Sequence, residues 1–363
     1  MNSPSDQQSV GVLLVNLGSP GSTDVKDIRE YLRQLLDDPN ILSMPKWMRR
    51  ILLDGFILRT RPQKIKEAYD AIWTDRGSPL LNHSADQGRH LKRELEKRGW
   101  NVHVEVGMQV GTPPIRVAIE TLCEKGIKTL VVLPLYPHST VATTEATLEK
   151  VQTVMAGEFE QPVPWVAQES FGSDNSYLNA LAKQVMRELF VESVDRLVLS
   201  YHSVPTRHIT RSRVNRSHCQ FNESCCQTLS SRNATCYRAQ CFATSTGLAE
   251  KLGVSKDRVV TCFQSRFNSE RWVGPFTFDI LQSLPQQGVK KIAIACPSFV
   301  SDCLETLEEI QMRGQAVFRN AGGETFHYIP CLNESEEWIS TMADMVEERM
   351  TERIEGNLTV RSG

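Results

Sequence analysis

His202 closes the apolar run RLVLSYH and is followed by Ser203, Val204 and Pro205. A histidine at a strand's end can accept a proton or hold a metal near neutral pH. A second group lies in CPSFVSDCLETLEEI (296–310), where Asp302, Glu305 and Glu309 recur at i, i+3 and i+7. That spacing predicts a carboxylate stripe along a helix beginning near Asp302, suited to a hard divalent cation or to proton traffic. Asp302 and Glu305 also have the spacing of a capping box, which needs no function. The third group is SHCQFNESCCQTLSSRNATCYRAQC (217–241). It gathers Cys219, Cys225, Cys226, Cys236 and Cys241, five of the chain's ten cysteines. Paired C-x2-C zinc knuckles are absent, while thiolate ligation of an iron–sulfur cluster tolerates looser spacing. The spacing alone leaves zinc and iron–sulfur open. The other histidines, His83, His90, His103, His138, His208, His218 and His327, make no i,i+4 ligand pair and read as structural or exposed.

The elements that must position these residues are continuous apolar runs: VGVLLVNLG, HVEV, TLVVLPLY, RLVLSYH, RVVTCFQ, KIAIACP and HYIP. Runs of this kind predict parallel strands covered on both faces. Helical patterns lie between them, as in DVKDIREYLRQLL, ADQGRHLKRELEKRG, NALAKQVMRELFVES and EEWISTMADMVEERM. The alternation predicts an α/β, doubly wound fold with its chemistry past the strands' carboxyl ends. The halves echo one another. GVLLVNLG runs into Ser19-Pro20 as RLVLSYH runs toward Pro205. Two similar domains are therefore expected, 1–165 and 166–363, with a cleft between them.

Two segments break the rhythm. ILSMPKWMRRILLDGFILRTRP (41–62) mixes apolar residues with Arg and Lys. It reads by default as a core helix pair, or else as an apolar lip on a membrane surface. Residues 206–242 show no period and form a long loop of the kind that is usually functional. They carry Arg207, Arg211, Arg213, Arg216, Arg232 and Arg238 against Glu223.

Composition bounds the rest. The chain has 363 residues, 40% hydrophobic and 23% charged, with a formal net charge of −2, which gives no polyanion-binding character and no reason to expect nucleic acid. Gly18-Ser-Pro-Gly21 is not a full dinucleotide fingerprint and no Walker A sequence occurs, so no nucleotide is expected. The polar start MNSPSDQQSV predicts no signal peptide, and a cytoplasmic location in which structural disulfides are rare.

Taken in order, GVLLVNLGSP, LPLYPHSTVATT, LSYHSVP, FQSRFNSERWVGPFT and CPSFVSDCLETLEEI resemble the motifs of the ferrochelatase family, from about Gly11 to Met350. The resemblance implies the class II chelatase arrangement: two Rossmann-like, doubly wound domains around a porphyrin cleft. It implies insertion of Fe2+ into protoporphyrin IX with release of two protons. His202 falls on the family's catalytic histidine and Glu305 on its glutamate, the pair expected to meet the substrate iron. Asp302 and Glu309 match acidic positions leading to that glutamate. Asn16 and Ser19 match the first pocket loop, Arg61 and Lys64 the basic lip, and Tyr136 and Trp272 pocket-lining positions. Segment 41–62 becomes a porphyrin lip in peripheral contact with a membrane. Residues 206–242 become a cysteine-rich insertion, and the family implies a [2Fe–2S] cluster on four of the five thiols: Cys219, Cys236 and Cys241 with Cys225 or Cys226. The chain departs from the family pattern at Gln109-Val110, Glu145-Ala146, Phe278 and Ser298. Those departures keep two alternatives in view: a chelatase for another metal or porphyrin, such as cobalt or coproporphyrin, and a non-catalytic tetrapyrrole or iron–sulfur sensor.

Overall fold

The computed structural model describes residues 9–158, 163–189, 194–211, 219, 223–267 and 270–354. Its strands form two parallel sheets of four. The first joins β1 (Val10–Asn16), β2 (Val102–Met108), β3 (Thr129–Pro134) and β4 (Trp165–Ala167) in the order β2-β1-β3-β4. The second joins β5 (Arg196–His202), β6 (Val259–Gln264), β7 (Lys291–Ala295) and β8 (Thr325–Tyr328) in the order β6-β5-β7-β8. The β4 strand was not among the expected runs; its three residues close the proline-broken stretch QPVPWVA and are too few to carry a period.

Each sheet has its own core. Leu13, Val15, Leu130, Val132 and Trp165 lie with Ile119 and Leu122 in one. Val198, Cys262, Ile292 and Ile294 lie with Phe318 and Phe326 in the other. Burial on both faces accounts for the unbroken apolar runs.

The chain makes two compact units, and the single division expected at 165/166 is replaced by a more interleaved one. The first unit takes the residues up to Leu135, Val141–Glu169 and the segment from Glu334; the second takes Tyr136–Thr140 and Ser170–Asn333. The C-terminal helix Glu336–Ile354 returns to the first unit because Arg98 anchors it. That guanidinium reaches Asp344 and Glu347 at 2.6 and 2.7 Å, and the Trp100 indole N–H donates to Glu347 at 2.8 Å.

Segment 41–62 is not a buried helix pair. Helix Lys46–Leu52 runs through a π-helical turn, Leu53–Ile57, into helix Leu58–Ile72. Trp47, Met48, Ile51 and Phe56 are 66, 44, 59 and 68% exposed. Pro62 lies inside the second helix and has no N–H to offer the Leu58 carbonyl. Arg29 Nε donates to that oxygen instead, at 3.0 Å.

The expected loop 206–242 is shorter than its composition implied. Thr206–Arg211 is helical, and the helix Tyr237–Leu252 begins inside the cysteine-rich stretch. That helix buries Gln240, Thr244 and Ser245 along with Ala239, Cys241 and Leu248, so it shows no apolar stripe. Its buried polar groups are bonded: Thr244 Oγ1 meets His138 Nε2 at 2.8 Å, and Gln240 accepts the Ser139 N–H at 2.9 Å.

Candidate functional site

His202 ends β5 in parallel register with Gln264, the last residue of β6. Its Nδ1 lies 2.6 Å from the Ser203 carbonyl oxygen. A carbonyl only accepts, so Nδ1 carries a proton there and Nε2 is the ring nitrogen left to the site. The loop behind it is pinned to the segment containing Trp272. Ser203 Oγ donates to the Val273 carbonyl at 2.7 Å, and the Thr206 and Val273 N–H groups bond Arg271 and Val204.

Past β7, the acidic segment starts one residue later than a helix capped by Asp302 and Glu305 would. Thr306 Oγ1 accepts the Cys303 N–H at 3.0 Å, so the capping pair is Cys303 and Thr306. The coil Glu305–Gly314 is then a π-helix, a rare form that is frequent at functional sites. Asp302 precedes this coil and leaves the predicted stripe. Its carboxylate accepts from Tyr328 OH (2.5 Å), Asn333 Nδ2 (2.7 Å) and Thr306 Oγ1 (3.0 Å). Glu305 and Glu309, at i and i+4, remain.

The end of β6 holds the backbone of Glu305 and the carboxylate of Glu309. Gln264 Nε2 donates to the Glu305 carbonyl at 2.7 Å. Ser265 gives its N–H to one Glu309 oxygen at 2.8 Å and its hydroxyl to the other at 2.5 Å. Ser265 does so from φ +65°, a left-handed conformation that non-glycine residues rarely adopt and that marks functional sites. Burial raises Glu309 above the usual carboxylate range, against the Ser265 bonds and the attraction of His202; Glu305 raises it further. Glu309 thus feels both the His202 imidazole and the Glu305 carboxylate within the second unit. Arg313 does not join them; it pairs with Glu308 at 2.9 Å and lies over the Phe278 ring.

Tyr136 and Trp272 belong to the second unit and are partly buried. Asn16, Ser19, Arg61 and Lys64 belong to the first. Asn16 ends β1 and donates to Ser84 Oγ at 3.1 Å. Ser19 is buried, and its hydroxyl has no hydrogen-bond partner among the described residues. Gly18, at φ +106°, lets this loop pass the Val110 carbonyl, which a Cβ would meet at 1.8 Å. Arg61 is half-buried, and its burial lowers its proton affinity; Lys64 is exposed.

The thiols lie close together. Cys225 and Cys226 Sγ atoms are 3.7 Å apart. A hydrogen bond with Cys236, helped by Arg238, pulls the Cys226 thiol down to about 5, while that same bond and burial push Cys236 up. Cys219 also bears on Cys236, and Cys241 is fully buried and bonded to Tyr237. As they stand, no three His, Cys, Asp or Glu side chains among the described residues form a group that could hold a metal ion.

Sequence reasoning singled out neither Gln264 nor Ser265, although both lie in the quoted motif FQSRFNSERW. The available signal was position: they follow the carboxyl end of a strand next to that of His202.

Two parallel sheets of one topology, with an imidazole at one strand end and two carboxylates on the coil that follows another strand, fit a metal chelatase of the α/β class. The fold is shared by SirB from Bacillus subtilis with Fe3+, at TM-score 0.52 and 12% identity over 96% of this chain and 98% of that one. The ferrochelatase family profile matches residues 9–350. A ferrochelatase from Pseudomonas fluorescens (strain Pf0-1) is 40% identical over 337 residues, 93% of this chain and 97% of its own length. One from Opitutus terrae is 39% identical over 336 residues, covering 92% and 96%. The chain belongs to the ferrochelatase family, lyase-type enzymes that insert ferrous iron into a porphyrin in haem biosynthesis.

Proposed function

We propose that the porphyrin is protoporphyrin IX and that His202 and Glu305 carry out the insertion. The single observation behind this is the His202 imidazole, with Nδ1 occupied by its own loop, acting on Glu309, which in turn feels Glu305 one turn earlier on the same coil. Fe2+ replaces two pyrrole protons, so the site must take up two protons and admit one dication. His202 Nε2 accepts the first proton. Glu305 meets the incoming iron. Glu309 receives a proton readily, because burial disfavours its charged form. Asp302 holds the turn that aims Glu305, through Tyr328 and Asn333. In this reading Asn16, Ser19, Arg61, Lys64, Tyr136 and Trp272 bind the porphyrin. A metallation assay with protoporphyrin IX and coproporphyrin, each with Fe2+ and Co2+, tests it. Faster turnover of coproporphyrin or cobalt would replace the substrate assignment. Porphyrin binding without metallation would turn the reading toward a carrier.

Peripheral membrane contact is supported by the exposed group Trp47, Met48, Ile51 and Phe56, flanked by Arg50 and Lys46. Fully burying such a side chain yields about 1.5–3 kcal/mol. No helix among the described residues is long and apolar enough to cross a membrane. Sedimentation with anionic vesicles should fall for Trp47→Ser/Phe56→Ser; equal sedimentation would remove the contact. The [2Fe–2S] assignment, on Cys219, Cys236 and Cys241 with Cys225 or Cys226, rests on the donor chemistry of these thiols and not on a formed metal group. Two irons and two sulfides per chain after anaerobic purification would support it, and one zinc or no metal would end it.

A further inference from the structure

We infer that Tyr237 and Ser298 are a positioning pair for His202, through which the helix bearing Cys236 and Cys241 bears on metal insertion. The inference rests on the reading of His202 as the insertion histidine.

The β5–β7 ladder ends at Leu199↔Ala295, while the β5–β6 ladder continues to His202↔Gln264. Strand residues point their peptide groups to alternate sides. The Ser203 N–H goes to Gln264 on the β6 side, so the N–H and C=O of His202 face the side that β7 has left. Buried peptide groups without partners are costly, and at an edge they let the chain fray. Two hydroxyls replace the missing strand. The His202 N–H donates to Ser298 Oγ at 3.2 Å. Tyr237 OH donates to the His202 carbonyl at 2.7 Å. The two hydroxyl oxygens are 3.1 Å apart. Tyr237 has spent its hydrogen on the carbonyl, so Ser298 supplies the third bond. The result is a closed ring: His202 N–H to Ser298, Ser298 to Tyr237, Tyr237 to His202 C=O. Every member both donates and accepts, so each bond polarises the next.

This ring fixes the peptide planes on both sides of His202 and so the direction of its side chain. Tyr237 is itself held rigidly. It is 5% exposed and packs edge-on against His138 at 5.8 Å, which packs edge-on against Tyr201 at 5.3 Å. It is also the first residue of its helix, directly after Cys236. A displacement of that helix start therefore reaches His202 through one phenol oxygen.

The test uses the full chain, with Zn2+ as a redox-inert metal and protoporphyrin IX as acceptor. Tyr237→Phe, Ser298→Ala and the double variant are compared with His202→Ala. Either single change opens the ring. We expect each to lower kcat about tenfold while the porphyrin KM stays within about twofold. The double variant should be no slower than the slower single one. Ser298→Ala sits in a loop and carries the test should Tyr237→Phe fold poorly. Unchanged kcat in Ser298→Ala, a loss matched by a rise in KM, or additive losses would overturn the inference. If His202→Ala retains full turnover, the underlying assignment fails instead.

Discussion

The two sheets share one strand order, yet their carboxyl ends differ in what they leave available. Asn16 and His202 end the corresponding strands β1 and β5. Asn16 is 6% exposed, with its amide given to Ser84 and its oxygen taken by the Leu17 N–H. His202 spends one ring nitrogen on its own loop and keeps the other. The helices after the third strand of each sheet extend the parallel, since each carries two glutamates four residues apart. Glu145 and Glu149 lie on an α-helix, where desolvation, Glu149 and Glu169 raise Glu145. Glu305 and Glu309 lie on a π-helix, where Ser265 and His202 oppose the rise at Glu309. One topology can thus leave its side-chain polar atoms paired at one strand end and a ring nitrogen uncommitted at the other.

Substitutions at corresponding positions can break or sharpen that contrast. His202→Ala should lower metallation by about 10²–10⁴, the usual worth of a general acid–base group, while porphyrin binding survives. Asn16→Ala should cost about tenfold or less, chiefly in porphyrin KM. Equal kcat losses would erase the difference between the ends. Glu309→Gln should slow turnover, and Glu145→Gln should leave it within about twofold. The reverse ranking would move the functional carboxylate to the first unit. Ser265→Ala keeps the amide bond to Glu309 but loses the hydroxyl bond, so Glu309 should bind its proton more tightly. The acid limb of the kcat profile should then shift to higher pH; an unmoved limb would separate Glu309 from proton transfer.

The smallest effect is on stability. The folded state raises both Glu309 and Glu145 above 4.5. The stabilisation linked to their protons is full below that value and is lost as pH rises through the folded pKa. Thermal midpoints measured upward from pH 4 should fall less steeply in Glu309→Gln than in the parent. Glu145→Gln should show a weaker change, because its side chain is exposed. Parallel curves for parent and Glu309→Gln would contradict the burial argument.

Much of this was legible in sequence because burial on both sheet faces writes itself as unbroken apolar runs. His202 was readable as the last residue of such a run, and Glu305 as part of an acidic series after another. The partners that orient them were not. Ser265 acts through a backbone angle, and Gln264 through register with a strand more than fifty residues away. The helix start moved by one residue because Thr306, rather than Glu305, closes the cap. Helix Tyr237–Leu252 was hidden by its buried polar face, which only the packing of His138 and Ser139 makes sense of. Segment 41–62 reads like a core pair because its apolar residues have core-like spacing, and nothing local to it records that Trp47 and Phe56 face outward.

The coil Glu305–Gly314 carries more chain per turn than its length would need in ordinary helical winding. That surplus makes the segment sensitive to insertion and deletion in a way few stretches are. Losing one position beyond Glu309 would let the winding relax while both acids keep their phase. Losing one between Glu305 and Glu309 would swing them apart with every side chain still present. For this stretch, the spacing of the acids matters to the site as much as their identity.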